Sequence, residues 1–360
     1  MKIVLSGGGT GGHIYPAIAI ANYIKEQNQA ADILFIGNEG GMESKLVPRA
    51  GYPIRYIRVQ GLRRRISLQN LKTAARLVTS FGAAKKILRE FKPDVVIGTG
   101  GYVCLPVMLA ATSLKIRALV HEQNVFPGLA VRLCAGRADT AISFPETEKY
   151  FKKPPKRLLL TGNPIRPELL RPAAETKATG EPLVVISGGS LGAQKINDAL
   201  IELLKMGGQD YYGIIASTGE RNYEAVMQKI RDEKIRICDN KKILPYIHNM
   251  DAVLQSADLA VTRAGAITVS ELCALGKPAI LIPSPNVTND HQTYNARTME
   301  KCGAAVLMPE SELTAEVLAG QIKTLLSNRS HLESMAKAAR ECAITDACAR
   351  IYAWIEESNQ

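Results

Sequence analysis

The segment from residue 5 to residue 13, LSGGGTGGH, joins a glycine-rich turn to a histidine, and both could do chemistry. Glycine has no Cβ, so the N–H groups of such a turn can approach an anion at the start of the next helix, where the helix dipole favours negative charge. Imidazole titrates near neutral pH, so His13 could act as a general base. It could also cap the helix or orient a backbone carbonyl, and the residues leave these roles open.

A second glycine-rich turn repeats the first. The segment VVISGGSLGAQ at 184 to 194 echoes IVLSGGGTGGH at 3 to 13, and each is an apolar strand that ends in Ser-Gly-Gly and runs toward a helix. Both turns are candidate cradles for a phosphate or diphosphate, and Ser190 would add its hydroxyl and amide to the second. A Gly-Gly-Ser turn also caps many helices, which is the structural alternative.

Three further segments carry polar side chains where strands are expected to end. VHEQN contains His121 and Glu122, which are alternative bases or orienting groups. TGNPIR contains Arg166, which could bring a fixed positive charge to a cleft between domains or pair with a surface carboxylate. RAGAITVSE, at 263 to 271, ends in Glu271, whose carboxylate could bind ribose hydroxyls or complement a helix dipole.

Several other nucleotide-binding classes fit the chain poorly. Gly7, Gly9 and Gly12 satisfy the G-x-G-x-x-G pattern of dinucleotide-binding proteins, which is a weak signal alone. A dehydrogenase needs an acidic residue at the far end of the second strand, but Asp32 lies at its start and only Glu39 follows it. The chain also lacks a P-loop motif and any Asp-x-Asp. We therefore expect N–H groups and cations, with no metal ion or other cofactor, to meet the charge of a nucleotide.

The elements that must position these residues alternate along the chain. Strands are predicted at 2–5, 33–36, 94–97, 117–120 and 158–160, and again at 183–187, 213–217, 258–262 and 279–283, with helices that include 16–26 and 71–90. Pro16 is expected in the first turn of its helix. This rhythm predicts an α/β protein with two Rossmann-like domains. A connection rich in Pro, Gly and charge at 161–182 puts the boundary near residue 163.

The composition of the chain indicates its cellular compartment and the class of its binding partners. The chain has 360 residues, a net charge of +11 and seven cysteines without a C-x-x-C pair. It shows no apolar run of about 18 residues and no signal peptide, so we expect a protein of the cytoplasm. The net charge predicts an anionic partner. Aromatic residues make up only 5% of the chain and no recognition motif occurs, which argues against nucleic acid.

Much of the positive charge lies between residues 62 and 92. In this segment Leu71, Ala75, Val78 and Phe81 recur at helical spacing among many lysines and arginines. Such a basic amphipathic helix can lie on an anionic membrane surface. Its apolar stripe can also simply pack on the sheet. Helical spacing allows one face of the helix to pack on the sheet while another contacts a membrane.

Seven motifs, in this order, resemble those of the MurG family of bacterial glycosyltransferases: GGGTGGHIYPA, GTGGYVCLP, VHEQN, TGNPIR, GGSLGAQ, RAGAITVSELCALGKPAILIPSP and DHQTYNA. Members of that family move N-acetylglucosamine (GlcNAc) from UDP-GlcNAc to a lipid-linked muramyl-pentapeptide. The resemblance implies the GT-B architecture, two Rossmann-like domains that face each other across the active-site cleft. It places an acceptor-binding, membrane-associating domain at 1–163 plus 342–360 and a UDP-GlcNAc-binding domain at 164–341.

The resemblance also implies roles for single residues. His13 would remove the proton of the muramyl C4 hydroxyl in an inverting displacement of UDP, with Glu122 and Asn124 beside it. The acceptor loop would contain Gly100, Gly101 and Tyr102, and in it Cys104 and Leu105 replace the smaller residues common in the family. The expected UDP-GlcNAc contacts are Thr10, Gly11, Gly12, Asn124, Arg166, Ser190, Ile247, Ala266, Ile267, Thr268, Val269, Ser270, Glu271 and Gln292, with possible help from Asn295. The expected membrane contacts are Leu71, Ala75, Val78 and Phe81.

The partners implied are UDP-GlcNAc, the lipid-linked muramyl-pentapeptide acceptor and the anionic cytoplasmic face of the cell membrane, where the protein would be peripheral. Three alternatives stay open. They are a transferase of the same architecture with another lipid acceptor such as diacylglycerol, a UDP-GlcNAc epimerase that needs no acceptor, and a basic binding protein that has kept a nucleotide fold. The donor motifs argue against the last, since a binding protein has no use for them.

Overall fold

The chain folds into two compact units, Met1–Ile165 with Ile344–Gln360 and Arg166–Ala343. The structure, a computed structural model, describes residues 1–59, 68–170, 180–189, 192–207 and 211–357, apart from the side chains of 68–75, 167 and 168. Within these parts, every helix is too short or too polar to cross a bilayer.

The first unit is built on a parallel sheet of seven strands in the order β3-β2-β1-β4-β5-β6-β7. The strands are β1 (Lys2–Gly7), β2 (Asp32–Asn38), β3 (Ile54–Ile57), β4 (Val95–Gly100), β5 (Arg117–Glu122), β6 (Asp139–Ile142) and β7 (Leu158–Leu160). The helices between them are α1 (Gly11–Gln27), α2 (Glu43–Arg49), α3 (Leu68–Phe91), α4 (Cys104–Ser113) and α5 (Leu129–Cys134). Because β1 pairs with both β2 and β4, the order reverses there, and a crevice is expected at the carboxyl ends of β1 and β4.

Both faces of this sheet are covered. Ile3, Leu5 and Ile97 point to the face packed by α1, whereas Val4 and Val96 point to the face packed by α3 and α4. A central parallel strand covered on both sides must be apolar along its whole length, which explains the unbroken runs KIVL and VVI.

The second unit repeats the pattern with six strands in the order β10-β9-β8-β11-β12-β13. The strands are β8 (Leu183–Ser187), β9 (Gly213–Ser217), β10 (Lys241–Leu244), β11 (Leu259–Thr262), β12 (Ala279–Leu281) and β13 (Ala305–Leu307). The helices are α6 (Gln194–Met206), α7 (Tyr223–Asp232), α8 (Met250–Ser256), α9 (Ala266–Leu275), α10 (His291–Lys301), α11 (Ala315–Ser327) and α12 (Arg329–Glu341). Here β8 pairs with β9 and β11, so the reversal lies at the ends of β8 and β11.

The last helix, α13 (Ala347–Glu356), belongs to the first unit. Ile351, Trp354 and Ile355 are buried in the core cluster that also contains residues of α1 and β1. The indole Nε1 of Trp354 donates to Asp139 Oδ2 at 2.9 Å, which satisfies its one polar atom. The chain therefore returns to the first unit after completing the second.

The α/β class with two parallel sheets is confirmed, and every predicted strand is present. Four strands escaped prediction, β3, β6, β10 and β13. Each has only three or four residues, and β3, β6 and β10 also contain charged residues. The expectation for Pro16 is wrong, since α1 begins at Gly11 and Pro16 lies in its second turn. There its ring replaces an N–H that would have bonded the carbonyl of Gly12.

Candidate active site

His13 lies where the turn after β1 meets the loop after β4. The Gly8 N–H donates to the Gly100 carbonyl at 3.3 Å, and the Thr99 hydroxyl donates to the His13 carbonyl at 2.7 Å. The imidazole packs on Gly100, where a Cβ would lie only 2.7 Å from His13 Cδ2 and where φ is +105°. Only glycine combines that backbone with that space. The loops therefore fix both the backbone and the ring of His13.

The contacts of His13 Nδ1 indicate which ring nitrogen carries the proton in the neutral imidazole. Nδ1 lies 3.2 Å from the Gly8 carbonyl oxygen and 3.2 Å from Thr10 Oγ1. A carbonyl oxygen can only accept, so Nδ1 must carry the proton in that contact, and the lone pair of the neutral ring is on Nε2. Two roles that the sequence left as alternatives, the general base and the orientation of a backbone carbonyl, are therefore compatible. The bond from Nδ1–H to the carbonyl leaves Nε2 unprotonated, as a base requires.

The predicted acceptor loop packs on the glycine-rich turn. Gly101 lies directly against the Gly8 backbone, and the Tyr102 ring lies over Gly9, where a Cβ would be 3.0 Å from Tyr102 Cε1. Tyr102 is 37% exposed, and partial burial followed by the nearby Glu43 carboxylate raises its pKa.

The two residues that depart from the family pattern in this loop pack against the core of the first unit. Cys104, the first residue of α4, is fully buried, and Leu105 packs on the core cluster between α3 and α4. Burial raises the pKa of the Cys104 thiol strongly, so the residue behaves as a small apolar side chain. Neither residue crowds the loop surface at 100 to 102.

His121 is excluded as a base. It is fully buried, its Nε2 donates to the Gly162 carbonyl at 2.9 Å, and its Nδ1 accepts from Gln123 Nε2 at 3.0 Å. Burial lowers its pKa to about 4. Both ring nitrogens are therefore used inside the first unit, a fact that no local pattern in VHEQN reveals.

Glu122 organises the chain around Asn124. One carboxylate oxygen accepts from the backbone N–H of Asn124 at 2.9 Å and from its Nδ2 at 3.2 Å, and the other accepts from the Gly128 N–H at 2.7 Å. Burial raises the pKa of Glu122, and these hydrogen bonds oppose the rise. Of the two roles left open, the contacts favour the orienting one.

In the second unit, the predicted donor residues begin at a helix N-terminus. Helix α9 starts at Ala266 directly after Gly265, close to the carboxyl end of β11. The residues from Ala266 to Glu271 are therefore the first two turns of one helix. The N–H groups of its first turn point toward the place where a diphosphate would be favoured.

Glu271 lies beyond the first turn of α9, which removes the helix-dipole explanation for it. Its carboxylate is 7% exposed, and Arg166 Nε donates to Oε1 at 3.0 Å. Burial raises the pKa of Glu271, and the Arg166 charge opposes that rise. Arg166 thus pairs with a buried carboxylate of the predicted donor site, rather than with a carboxylate of the exposed surface.

Gln292 is the second residue of α10, and its Oε1 accepts from the Ser284 N–H at 2.9 Å. Asn295 is fully buried and donates to the Ala264 carbonyl at 3.0 Å, so it stabilises the turn before α9. Ile247, predicted to lie near uracil, is 2% exposed in the loop between β10 and α8.

Two residues that hold these loops were missed from sequence. Arg263 pairs with Glu310, and its Nη1 donates to the carbonyls of Ile282 and Pro283, each at 3.2 Å, which fixes the segment that leads to Gln292. Thr99 holds the His13 carbonyl. Their only signal was their place inside the quoted motifs RAGAI and GTGGY.

Some predicted residues lie outside the described residues or side chains, namely Ser190, Leu71 and Ala75. Gly189 and Gly192, the described residues on either side of Ser190, have φ of +85° and +73°, and α6 begins at Gln194, so the expected helix is present. On α3, Val78 is 70% exposed, whereas Phe81 is partly buried against the core of the first unit. Phe81 as a membrane contact stays a prediction, and of the two residues Val78 is the more exposed.

Family models match both units. The model described as "Glycosyltransferase family 28 N-terminal domain" matches residues 3–143, and "Glycosyltransferase family 28 C-terminal domain" matches residues 183–351. The chain is similar to a protein of Caldanaerobacter subterraneus subsp. tengcongensis, at 48% identity over 98% of each chain. A Bacillus cytotoxicus protein is 44% identical, again over 98% of each. Both are named UDP-N-acetylglucosamine–N-acetylmuramyl-(pentapeptide) pyrophosphoryl-undecaprenol N-acetylglucosamine transferase.

Solved structures agree in fold. Acinetobacter baumannii MurG superposes with a TM-score of 0.81 at 31% identity, covering 99% of both chains. A UDP-GlcNAc 2-epimerase of Neisseria meningitidis, bound to UDP-GlcNAc, gives a TM-score of 0.70 over 99% of this chain and 100% of its own. Because only 14% of the residues are identical, this match shows that the two proteins share a fold and nothing more.

Proposed function

The chain belongs to glycosyltransferase family 28 and, within it, to the MurG family, and from this premise we propose how its residues act. It is a UDP-GlcNAc-dependent N-acetylglucosaminyltransferase that acts on undecaprenyl-pyrophosphoryl-MurNAc-pentapeptide, the step from lipid I to lipid II in peptidoglycan synthesis. Full-length relatives at 48% identity carry this name, whereas the epimerase of similar fold is only 14% identical. The epimerase alternative is therefore not favoured.

The contact between His13 Nδ1 and the Gly8 carbonyl oxygen is the observation that carries the mechanism. With its Nδ1–H bonded to the Gly8 carbonyl, Nε2 takes the proton of the MurNAc C4 hydroxyl as that oxygen attacks C1 of GlcNAc. The bond from C1 to the UDP oxygen breaks as the new bond forms, so the configuration at C1 inverts. The proton stays on His13, and the resulting positive charge strengthens its bond to Gly8.

The donor is held by the second unit. The N-terminus of α9, at Ala266, Ile267 and Thr268, stabilises the charge that develops on the departing UDP. Glu271 accepts hydrogen bonds from the ribose hydroxyls. Gln292 binds the hydroxyls of GlcNAc and Ile247 packs against uracil, while Val269, Ser270 and Ser190 complete the surroundings.

The acceptor is held by the first unit. Tyr102, with Gly100 and Gly101, lines the loop beside His13. Asn124, oriented by Glu122, contacts the sugar that is transferred or the one that receives it. The N–H groups of Thr10, Gly11 and Gly12, at the start of α1, lie next to His13 and can meet a phosphate of either substrate.

The lipid-linked acceptor makes contact with a membrane useful, and α3 supplies a surface for it. Val78 is 70% exposed, and Arg76, Lys86 and Arg89 are exposed on the same helix. Each cation near an anionic leaflet adds roughly 1 kcal/mol of attraction. We infer that the protein docks peripherally on the cytoplasmic face of the cell membrane through this surface.

The deciding experiment follows label from UDP-[¹⁴C]GlcNAc into a short-chain lipid-linked muramyl-pentapeptide, for the wild type and His13→Ala side by side. We expect a labelled disaccharide from the wild type, and its loss from a variant that still binds UDP-GlcNAc. Diacylglycerol as acceptor, and UDP-GlcNAc without acceptor, are the matched controls. Transfer to diacylglycerol alone, or epimerised nucleotide sugar without acceptor, would overturn the assignment.

A further inference from the structure

The proposed mechanism leaves one buried carboxylate unused. Glu43, the first residue of α2, is fully buried at the carboxyl edge of the first sheet. Its Oε2 accepts from the Gly9 N–H at 3.1 Å, and its Oε1 accepts from the Asn38 N–H at 2.9 Å. Among the described residues no lysine or arginine pairs with it. A buried anion held only by N–H groups is costly, so its surroundings must be shaped to keep it there.

Three glycines make the space that this carboxylate fills. A Cβ on Gly8 would touch Oε1, a Cβ on Gly41 would lie 2.6 Å from it, and a Cβ on Gly37 would lie 2.7 Å from Glu43 Cγ. These glycines come from the turn after β1, the end of β2 and the loop before α2. The lack of a side chain at Gly8 is thus explained by the space that Glu43 needs.

The same contact limits where an anion can bind. The Gly9 N–H is already bonded to Glu43, and the carboxylate charge repels a phosphate at that point. A phosphate at this turn is therefore restricted to the later N–H groups, at Thr10, Gly11 and Gly12.

One rigid peptide group, between Gly8 and Gly9, connects Glu43 to His13. The N–H of Gly9 and the C=O of Gly8 belong to the same planar peptide unit. Glu43 accepts from one end of this unit, and the other end accepts from Nδ1 of His13 at 3.2 Å. Hydrogen bonds in such a chain polarise one another, so a carboxylate on the N–H strengthens the carbonyl as an acceptor.

We propose that Glu43 is the positioning carboxylate of His13, acting through the Gly8–Gly9 peptide group. It holds His13 in the form with the proton on Nδ1 and stabilises the positive ring after Nε2 has taken the substrate proton. This role deepens the proposed function and rests on His13 as its base. Glu43 does not touch substrate.

The test compares Glu43→Gln with Glu39→Gln. Glutamine at 43 fills the same space but has only one accepting oxygen, so one of the two N–H groups loses its partner. Glu39 lies four residues earlier, is exposed, and pairs with Arg58 at 2.6 Å. We expect kcat to fall about tenfold to a hundredfold in Glu43→Gln, the range known for residues that orient a catalytic group. The KM for UDP-GlcNAc should stay within about twofold, and Glu39→Gln should match the wild type.

A measurement on the ring itself separates positioning from mere folding. In ¹⁵N-histidine spectra, His13 of the wild type should show a protonated Nδ1 when neutral, and Glu43→Gln should shift it toward the form with the proton on Nε2. Unchanged kcat in Glu43→Gln, or lost kcat with an unchanged His13 form, would overturn the proposal. If the wild type itself transfers no GlcNAc, the proposed function fails, and the ring spectra still test the contact.

Should Glu43→Gln not fold, the wild type alone answers the question. As His13 takes up a proton, the Gly9 amide proton should shift downfield, whereas the Asn38 amide, bonded to the other oxygen, should move little. Tyr102, which also approaches Glu43, has a raised pKa and stays protonated meanwhile. A Gly9 amide shift that stays constant while His13 takes up a proton would contradict the proposed coupling between Glu43 and His13.

Discussion

Arg166 Nε lies 3.0 Å from Glu271 Oε1, which joins the residue where the second unit begins to the second turn of α9. The carboxylate is buried, and burial raises its pKa. The Arg166 charge opposes that rise and so favours the ionised form, which is the better acceptor for ribose hydroxyls. We therefore propose that Arg166 serves the nucleoside end of the donor, which leaves the N-terminus of α9 to meet the diphosphate.

Arg166→Ala should weaken the binding of UDP and of uridine by the same factor, about tenfold, which corresponds to about 1.4 kcal/mol. Both ligands carry the ribose that we propose Glu271 binds, whereas only UDP carries phosphates. Calorimetric titration of each ligand measures the two affinities. A loss confined to UDP would show that Arg166 acts on the diphosphate instead.

The same variant should also change how binding depends on pH. Without the Arg166 charge, the pKa of Glu271 rises further, so the carboxyl group takes up a proton at a higher pH and loses acceptor strength. The loss of UDP affinity relative to the wild type should therefore grow as the pH falls from 8 toward 6. An equal loss at both ends of that range would argue against this reading.

His13→Asn should lower kcat by about a hundredfold to ten-thousandfold, the range for loss of a general base. Binding of UDP-GlcNAc should be retained, because the proposed donor contacts lie mainly in the second unit. The exposed His331→Asn is the matched control and should keep wild-type kcat. Steady-state rates together with titration of UDP-GlcNAc check both parts, and a His13→Asn enzyme with near wild-type kcat would remove the base assignment.

His121 should affect how the free energy of unfolding depends on pH, and it should not affect catalysis. Its pKa of about 4 in the folded chain lies below the ordinary value of 6.5, so the unfolded chain binds the proton more readily. The stability due to the neutral ring is present above about pH 6.5 and is lost as the pH falls toward 4, by up to about 1.4 kcal/mol per pH unit.

Urea unfolding at pH 7 and pH 5 measures this effect. The only tryptophan, Trp354, lies in the first unit with His121, so its fluorescence reports the relevant transition. His121→Gln keeps a donor and an acceptor without titrating, and it should flatten the pH dependence while kcat stays within about threefold. An unaltered pH dependence in His121→Gln would show that other groups cause it.

The sequence predicted the sheets well, because strands buried on both faces leave continuous apolar runs that need no knowledge of their neighbours. It also placed His13 and the segment that ends in Glu271 at turns between a strand and a helix. It could not assign His121, since its burial depends on Gly162, 41 residues away. Glu43 was missed for the same reason, because its partner Gly9 lies 34 residues away and nothing near Glu43 marks its direction.

The last prediction separates Val78 and Phe81, the two predicted membrane contacts whose side chains the structure describes. Val78 is 70% exposed and Phe81 packs partly on the core, so the same change should act differently at each. Val78→Glu removes an apolar contact and adds a negative charge, which should lower binding to vesicles with anionic lipid by about tenfold or more without changing the unfolding free energy. Phe81→Ala should lower the unfolding free energy by about 2 kcal/mol.

Val317 provides the matched control for Val78. It is an exposed valine, 47% accessible, on α11 of the second unit, so Val317→Glu makes the same chemical change away from α3. Vesicle sedimentation at low and high salt should show that only Val78→Glu loses binding, and that salt weakens what remains, because the cations around Val78 are screened. Equal losses in the two variants would mean that net charge alone, rather than the surface around Val78, governs the attachment to the membrane.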